Sequence, residues 1–84
     1  MAKYAPLESY LLLADQKLDE IVLSFAQIEQ IIGTTLPPDA YNPSGTWWRN
    51  TNDAKRPQAK AWLSAGWKIA ASNQAGKQVR FVRQ

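Results

Sequence analysis

The spacing of apolar residues in positions 1–33 predicts a helix, a short strand and a second helix. A proline that suits the first turn of a helix is followed by apolar residues at helical spacing, which predicts the first helix over about residues 6–17. The β-branched run at residues 21–23 is long enough for one strand. Ser24 and Gln27 have the spacing of a capping box, and the apolar stripe behind them predicts a helix over about residues 25–32.

Residues 34–56 follow neither a helical nor a strand period, although two adjacent tryptophans lie among them. A loop of this length inside a compact domain usually has a function or a structure of its own. In an extended segment Trp47 and Trp48 point to opposite sides, so that one ring is free to stack on a base or to contact a partner. In the alternative, which we favour, both rings close the loop over the core.

The pattern after residue 56 predicts a helix followed by a β-hairpin. The helix begins with a proline and extends over about residues 57–65. Two alternating runs, over about residues 67–73 and 77–83, have the periodicity of strands. The residues between them predict a three-residue loop at 74–76, with its glycine in the left-handed conformation.

These periodicities also predict which side chains face the core. The hairpin register opposes Ala71 to Val79 and Ile69 to Phe81 on the buried face. Helical spacing divides the preceding helix into two faces. The residues predicted to face inward are Ala59, Trp62 and Leu63, and those predicted to face outward are Gln58, Lys60, Ala61 and Ser64.

The order helix, strand, helix, long loop, helix, hairpin predicts a single α+β domain over residues 1–84. This is the element order of a winged-helix-like fold, in which the third helix enters the major groove of DNA and the hairpin, or wing, contacts the backbone. One feature departs from that fold, since about 24 residues separate the second and third helices where a short turn is usual.

Composition argues against catalysis and against a bound cofactor. The 84 residues include no cysteine and no histidine, which removes thiolate metal sites and the commonest general base. We therefore expect a non-enzymatic protein with no catalytic residue, no metal site and no cofactor. The first residues lack a signal-peptide pattern and no stretch is long enough to span a bilayer, so we expect a cytoplasmic protein with no membrane partner.

Charge is distributed unevenly along the chain, although the net charge is only +3. Residues 1–40 contain two lysines and six carboxylates, whereas residues 41–84 contain eight lysines and arginines and a single carboxylate. Such asymmetry indicates a face for an anionic partner, and the alternative is an ordinary solvated surface. In the DNA interpretation, Gln58, Lys60 and Ser64 reach base edges while the other cations contact phosphates. The candidate nucleic-acid contacts are Arg49, Lys55, Arg56, Gln58, Lys60, Ser64, Lys68, Lys77 and Arg80.

Several short motifs resemble a family of small bacterial and phage domains of unknown function. The segments 36–40, 47–50 and 58–67 fit the pattern LPxxA…WWxN…QAxAWLxAGW, and the N-terminal motifs YxPLxxYL and LSFxxIExIIG are similar to the same family. The resemblance covers nearly the whole chain and implies no catalytic residue. One departure lies at residues 41–46, which are longer than the usual spacing and lack the basic or histidine residues expected there.

Together these observations predict a non-enzymatic, DNA-binding winged-helix-like domain, and the resemblance suits a phage or plasmid regulator. The alternative from a different class is a protein-interaction or inhibitor module that docks through Trp47 and Trp48. A third hypothesis is a nucleotide pocket lined by one of these rings, Tyr41 and Asn50. The sequence is compatible with a homodimer and does not distinguish DNA from RNA.

Overall fold

The computed structural model describes residues 3–43 and 46–84 and has an α+β fold, as predicted. Within these two ranges, four helices lie on one face of a three-stranded antiparallel sheet, and the other face is open to solvent. Part of the segment 41–46, which departs from the family pattern, lies outside these described residues. The elements in chain order are α1 (Ala5–Leu12), β1 (Glu20–Ser24), α2 (Phe25–Ile32), α3 (Pro38–Tyr41), α4 (Pro57–Ser64), β2 (Trp67–Asn73) and β3 (Gln78–Arg83). The short α3 is an addition to the predicted elements.

Helix α2 has the predicted bounds because its start and its end are both encoded locally. The Ser24 hydroxyl accepts a hydrogen bond from the Gln27 backbone N–H (3.0 Å), and the Gln27 side-chain carbonyl accepts one from the Ser24 N–H (2.8 Å). Gly33 ends the helix with a φ of 76°, which glycine adopts without strain. The apolar stripe between these signals is buried against α1 and the sheet.

Helix α1 ends at Leu12 and not at about residue 17, so this predicted boundary was wrong. The carbonyl of Leu11 accepts a hydrogen bond from the indole N–H of Trp67 (3.1 Å). The guanidinium of Arg83 stacks on the Trp67 ring and donates two hydrogen bonds (2.8 and 2.9 Å) to carbonyls in the segment 13–18. Contacts with residues far along the chain therefore decide where α1 stops, and its own sequence does not encode them.

Strand β3 lies at the centre of the sheet, with β1 and β2 antiparallel on either side. Ile69 lies opposite Phe81 as predicted, but the predicted pairing of Ala71 with Val79 was wrong. An irregularity between Ile69 and Ala71 inserts an extra residue into β2. Ser72 consequently lies opposite Val79, and Ala71 is turned to solvent.

The turn of the hairpin is one residue longer than predicted. It spans residues 74–77, and Lys77, rather than Gly76, has the left-handed conformation, with a φ of 54°. The side-chain carbonyl of Asn73 accepts a hydrogen bond from the Gly76 N–H (2.9 Å) and so satisfies the backbone within the turn. Lys77 is thereby held at the tip of the hairpin, exposed to solvent.

The buried face of α4 is wider than its sequence predicts. Gln58 and Ala61, both expected to face outward, are buried, and only 4% of Gln58 is exposed. At Gln58 the cause is the segment around Trp47, because the Gln58 side-chain amide donates a hydrogen bond to the Trp47 carbonyl (3.2 Å). Gln58 is therefore removed from the candidate base contacts, whereas Lys60 and Ser64 keep their predicted exposure.

Candidate nucleic-acid interface

Trp48 is enclosed in a stack of three aromatic rings. Its ring lies between Phe25, with centroids 5.3 Å apart, and Trp62, with centroids 5.9 Å apart, and is within 24° of parallel to both. The indole N–H donates a hydrogen bond to the carbonyl of Ala40 in α3 (2.9 Å), and only 5% of Trp48 is exposed. The hypothesis that this ring is free to stack on a base or to contact a partner is therefore wrong.

Trp47 is buried beside it, with 6% of its surface exposed. The carbonyl of Thr46 accepts a hydrogen bond from the Arg49 N–H (3.1 Å), so the two tryptophans form the centre of a turn and not an extended segment. Both rings turn to the core, where Trp47 packs edge-on against Tyr4 with centroids 5.8 Å apart. The interpretation in which both rings close the loop over the core is confirmed.

Asn50 joins this segment to the edge of the sheet. Its side-chain carbonyl accepts hydrogen bonds from the indole N–H of Trp62 and from the backbone N–H of Ile69, both at 2.9 Å. Its side-chain N–H donates to the Ile69 carbonyl at 2.9 Å. The amide thus takes the place that a neighbouring strand would have beside β2, and the hypothetical nucleotide pocket loses one of its polar groups.

Tyr41, the other polar group of that pocket, is bound to Glu29 of α2. The Tyr41 hydroxyl donates to a carboxylate oxygen of Glu29 (2.7 Å), which also accepts a hydrogen bond from the Leu36 N–H (2.8 Å). The Leu36 and Tyr41 hydrogen bonds lower the pKa of Glu29 below its ordinary value of 4.5, and the charge of Lys77 adds to this effect. The same carboxylate raises the pKa of Tyr41. Glu29 thus holds the segment that follows α2 against that helix through two hydrogen bonds.

Replacing Glu29 by glutamine is expected to lower the free energy of unfolding by about 1 kcal/mol at neutral pH, because two hydrogen bonds lose a charged acceptor. A carboxylate whose pKa is lower in the folded state contributes stability above its unfolded pKa, and loses it as the pH falls through the folded value. The difference in the free energy of unfolding between wild type and Glu29→Gln should therefore become smaller below about pH 4.5. Urea denaturation across this range measures that difference, and a difference that does not change with pH contradicts the role assigned to Glu29.

Most cations in the second half of the chain are exposed and form no ion pair with any described residue. Arg80 is the exception, because its guanidinium and Glu20 form, at 2.6 Å, the one ion pair in the described part of the chain. Arg56 is half-buried and donates a hydrogen bond to the Thr46 hydroxyl (3.1 Å). The exposed cations that form no ion pair with any described residue are Arg49, Lys55, Lys60, Lys68 and Lys77.

An open depression of about 440 Å³ lies between the tryptophan-containing loop and the hairpin. Thr46, Arg49 and Asn50 line it from the loop, and Ser72 lines it from β2. The depression is thus lined by one arginine and two hydroxyl-bearing residues, and guanidinium and hydroxyl groups commonly bind phosphate. The sequence analysis named Arg49 but neither Thr46 nor Ser72. At Ser72 the reason is the irregularity in β2, which places this residue opposite Val79 and has no local signal in the sequence.

A larger groove, with a volume of about 660 Å³, runs along the exposed face of α4. Lys60 and Ser64 line this groove, but the carboxyl-bearing residues Glu8 and Asp53 line it too. Two carboxylates near one lysine weaken its attraction for phosphate. The structure therefore brings two of the three predicted base contacts together, in a setting less basic than the sequence suggested.

The remaining predicted contacts lie in three places, one of which is the tip of the hairpin with Lys77. Lys68 and Arg80 project from the open face of the sheet, on β2 and β3, away from the helices. Lys55 and Arg56 directly precede α4, and Arg56 is the residue from which that helix begins. The predicted contacts are thus spread over the loop, the start of α4 and the hairpin, and they do not form one compact cluster.

Comparison with known proteins places the chain in a family. A family model described as a domain of unknown function (DUF7662) matches residues 4–84. No curated protein and no solved structure matches the chain. Among residues 3–43 and 46–84 no group of three or more acidic side chains is arranged to hold a metal ion. No helix in these ranges has the length and apolar character needed to cross a membrane.

Proposed function

The chain belongs to the DUF7662 family of domains of unknown function, and we propose that it is a non-enzymatic DNA-binding domain with a winged-helix-like fold. The observation that carries the proposal is the set of exposed cations after residue 46 that form no ion pair with any described residue. Phosphate neutralisation supplies most of the affinity of non-specific DNA binding, so exposed cations without an ion-pair partner suit this ligand. In this proposal the protein acts as a cytoplasmic regulator of phage or plasmid origin.

The fold supports the proposal through its topology. A helix, α4, directly precedes a hairpin, and the second strand of that hairpin pairs with β1 to complete a small sheet. In a winged helix these two parts are the ones that contact the groove and the flanking backbone. The difference from that fold lies between α2 and α4, where α3 and the tryptophan turn replace a short connection.

In the proposed complex the loop and the hairpin provide the phosphate contacts. These contacts come from Arg49, Lys55, Arg56 and Lys77. Lys60 and Ser64 of α4 are the side chains left to reach base edges, because Gln58 is buried. Lys68 and Arg80, also predicted as contacts, project from the open face of the sheet, away from α4, so a duplex bound along α4 does not reach them.

Reversing two loop charges tests the proposal. Fluorescence anisotropy with a labelled random duplex of about 25 base pairs should show micromolar affinity at low salt, and the logarithm of affinity should fall linearly with the logarithm of salt concentration. The double substitution Arg49→Glu with Lys55→Glu is expected to weaken binding roughly tenfold or more. It should also reduce the salt slope by about two, because two phosphate contacts are lost.

A matched control carries the same change of net charge in the acidic half of the chain. Lys17 is exposed, and Lys17→Glu should leave the affinity within about threefold of wild type, since this charge lies outside the proposed surface. Arg49→Glu alone makes the same change of net charge and should weaken binding more. Equal losses in Lys17→Glu and Arg49→Glu would show that affinity follows net charge alone. Absence of binding at low salt would remove the DNA proposal, and tighter binding to an RNA duplex would change the partner.

The rival proposal, a protein-interaction or inhibitor module that docks through Trp47 and Trp48, has lost the observation on which it depended. Both rings are enclosed by the protein itself. No other observation in the described part of the chain favours that class through these residues.

A further inference from the structure

The depression between the tryptophan-containing loop and the hairpin differs in charge from the groove along α4. Among residues 3–43 and 46–84, those that line the depression are Thr46, Trp48, Arg49, Asn50 and Ser72, and none of them bears a carboxyl group. Two carboxyl-bearing residues line the groove along α4. Because like charges repel, an anion is better placed in the depression than in that groove.

Arg49 provides the positive charge of the depression. Its side chain is exposed and forms no ion pair or hydrogen bond with any described residue. A free guanidinium presents its N–H donors in a planar fork that matches the oxygens of a phosphate group. Arg56 adds a second positive charge nearby, because its guanidinium donates a hydrogen bond to the Thr46 hydroxyl (3.1 Å).

The two hydroxyls of the depression both have a hydrogen available to donate. The Thr46 oxygen accepts a hydrogen bond from the Arg56 guanidinium (3.1 Å), and the Ser72 oxygen accepts one from the side-chain amide of Gln74 (3.2 Å). No described residue accepts a hydrogen bond from either hydroxyl. A hydroxyl oxygen that is already bound by a donor still has its own hydrogen to offer, so these two groups suit a ligand with acceptor oxygens.

Hydrogen bonds hold the two sides of the depression together before any ligand binds. The Asn50 side chain binds both the N–H and the carbonyl of Ile69 in β2, each at 2.9 Å. The loop that carries Thr46 and Arg49 is therefore fixed on the strand that carries Ser72. A site whose groups are already in place binds its ligand without the entropic cost of ordering them.

We propose that the depression is a binding site for one phosphate group, in which the Arg49 guanidinium neutralises the charge and the hydroxyls of Thr46 and Ser72 donate hydrogen bonds to the oxygens. A phosphodiester of nucleic acid and a free phosphate or phosphomonoester present this same chemistry. For the phosphodiester the inference rests on the proposed function and adds two uncharged residues to its contacts. For free phosphate it does not depend on DNA binding.

Titration of the full chain with inorganic phosphate tests the site without DNA. In two-dimensional NMR of the ¹⁵N-labelled protein, with ionic strength held constant by sodium chloride, the Arg49 side-chain N–H and the Thr46 and Ser72 amides should shift and reach saturation at millimolar phosphate. Thr46→Val with Ser72→Ala should weaken this binding about tenfold, because two hydrogen bonds are lost. The control, Thr35→Val with Ser9→Ala, makes the same chemical change at exposed residues that do not line the depression, and it should bind as wild type does.

The same variants, tested with the labelled duplex, distinguish the two sources of the phosphate. If the site binds a phosphodiester, Thr46→Val with Ser72→Ala should lower duplex affinity about tenfold and leave the salt slope unchanged, because no charge is removed. Thr46→Ser keeps the hydroxyl and should bind as wild type does. Phosphate binding together with an unchanged duplex affinity would assign the site to a free phosphate or phosphomonoester.

The results that overturn this proposal differ from those that remove the DNA proposal. A wild type whose signals do not shift with phosphate, together with a duplex affinity that the loss of both hydroxyls does not change, overturns the phosphate site. Phosphate shifts that persist undiminished in the double variant overturn it too. If the protein does not bind DNA at all, the proposed function fails, and the phosphate titration alone then decides whether the site exists.

Discussion

Trp48→Ala is expected to lower the free energy of unfolding by about 4 kcal/mol, a large part of the stability of a domain this small. The substitution empties the space between Phe25 and Trp62 and leaves the carbonyl of Ala40 without its donor. Urea denaturation followed by far-ultraviolet circular dichroism measures the loss without depending on tryptophan emission.

Two further variants separate the causes of this loss. Trp48→Phe keeps a ring in the stack but removes the indole N–H, so we expect a smaller cost of about 1–2 kcal/mol. Leu13→Ala removes an apolar side chain that is 85% exposed and should change stability by less than about 0.5 kcal/mol. A Trp48→Ala variant as stable as wild type would show that the ring does not hold the loop on the core.

Asn50→Ala is expected to cost about 3 kcal/mol, although the residue itself counts as exposed. The change removes three hydrogen bonds at once, and it leaves the Trp62 indole N–H and both backbone groups of Ile69 without their partner. Denaturation measures the total, and hydrogen exchange at the Ile69 amide should show local loss of protection. If stability depended on the burial of the residue alone, Asn50→Ala would have little effect. The measured loss therefore shows whether the three hydrogen bonds of Asn50 stabilise the fold.

The matched control is Asn52→Ala, two residues further along the same loop. Asn52 is exposed, and we expect a change of less than about 0.5 kcal/mol. If both asparagine variants lose the same stability, the effect belongs to the loop backbone and not to the amide that joins it to β2.

The elements that sequence predicts well are those whose signals are local. The capping residues Ser24 and Gln27 and the terminal Gly33 lie next to the helix that they bound, and α2 has the predicted limits. The pairing of Ile69 with Phe81 follows from alternation close to the turn, and it is correct. In such cases neighbours along the chain are also neighbours in space.

Two of the predictions that failed depend on contacts between distant segments. The outward position predicted for Gln58 was wrong because the Trp47 carbonyl lies above it, and the predicted length of α1 was wrong because of an indole from β2. The favoured prediction, that both tryptophans close the loop over the core, is confirmed. The alternative with one free ring assumed an extended segment, whereas the local hydrogen bond from the Arg49 N–H to the Thr46 carbonyl makes a turn. The cations of the candidate interface were predicted, because the sequence shows charge directly. The hydroxyls of Thr46 and Ser72 beside Arg49 were not predicted.

The position of β1 in the sheet also bears on how fast the protein folds. Its partner, β3, follows every other element in the chain, so β1 cannot join the sheet until almost the whole sequence has been brought together. Closing a long loop costs entropy before any contact compensates for it. We therefore expect folding to be slower than in a helical domain of equal length. Until β3 is in place, α1 can pack against α2 and α4, but the residues of β1 have no strand to pair with.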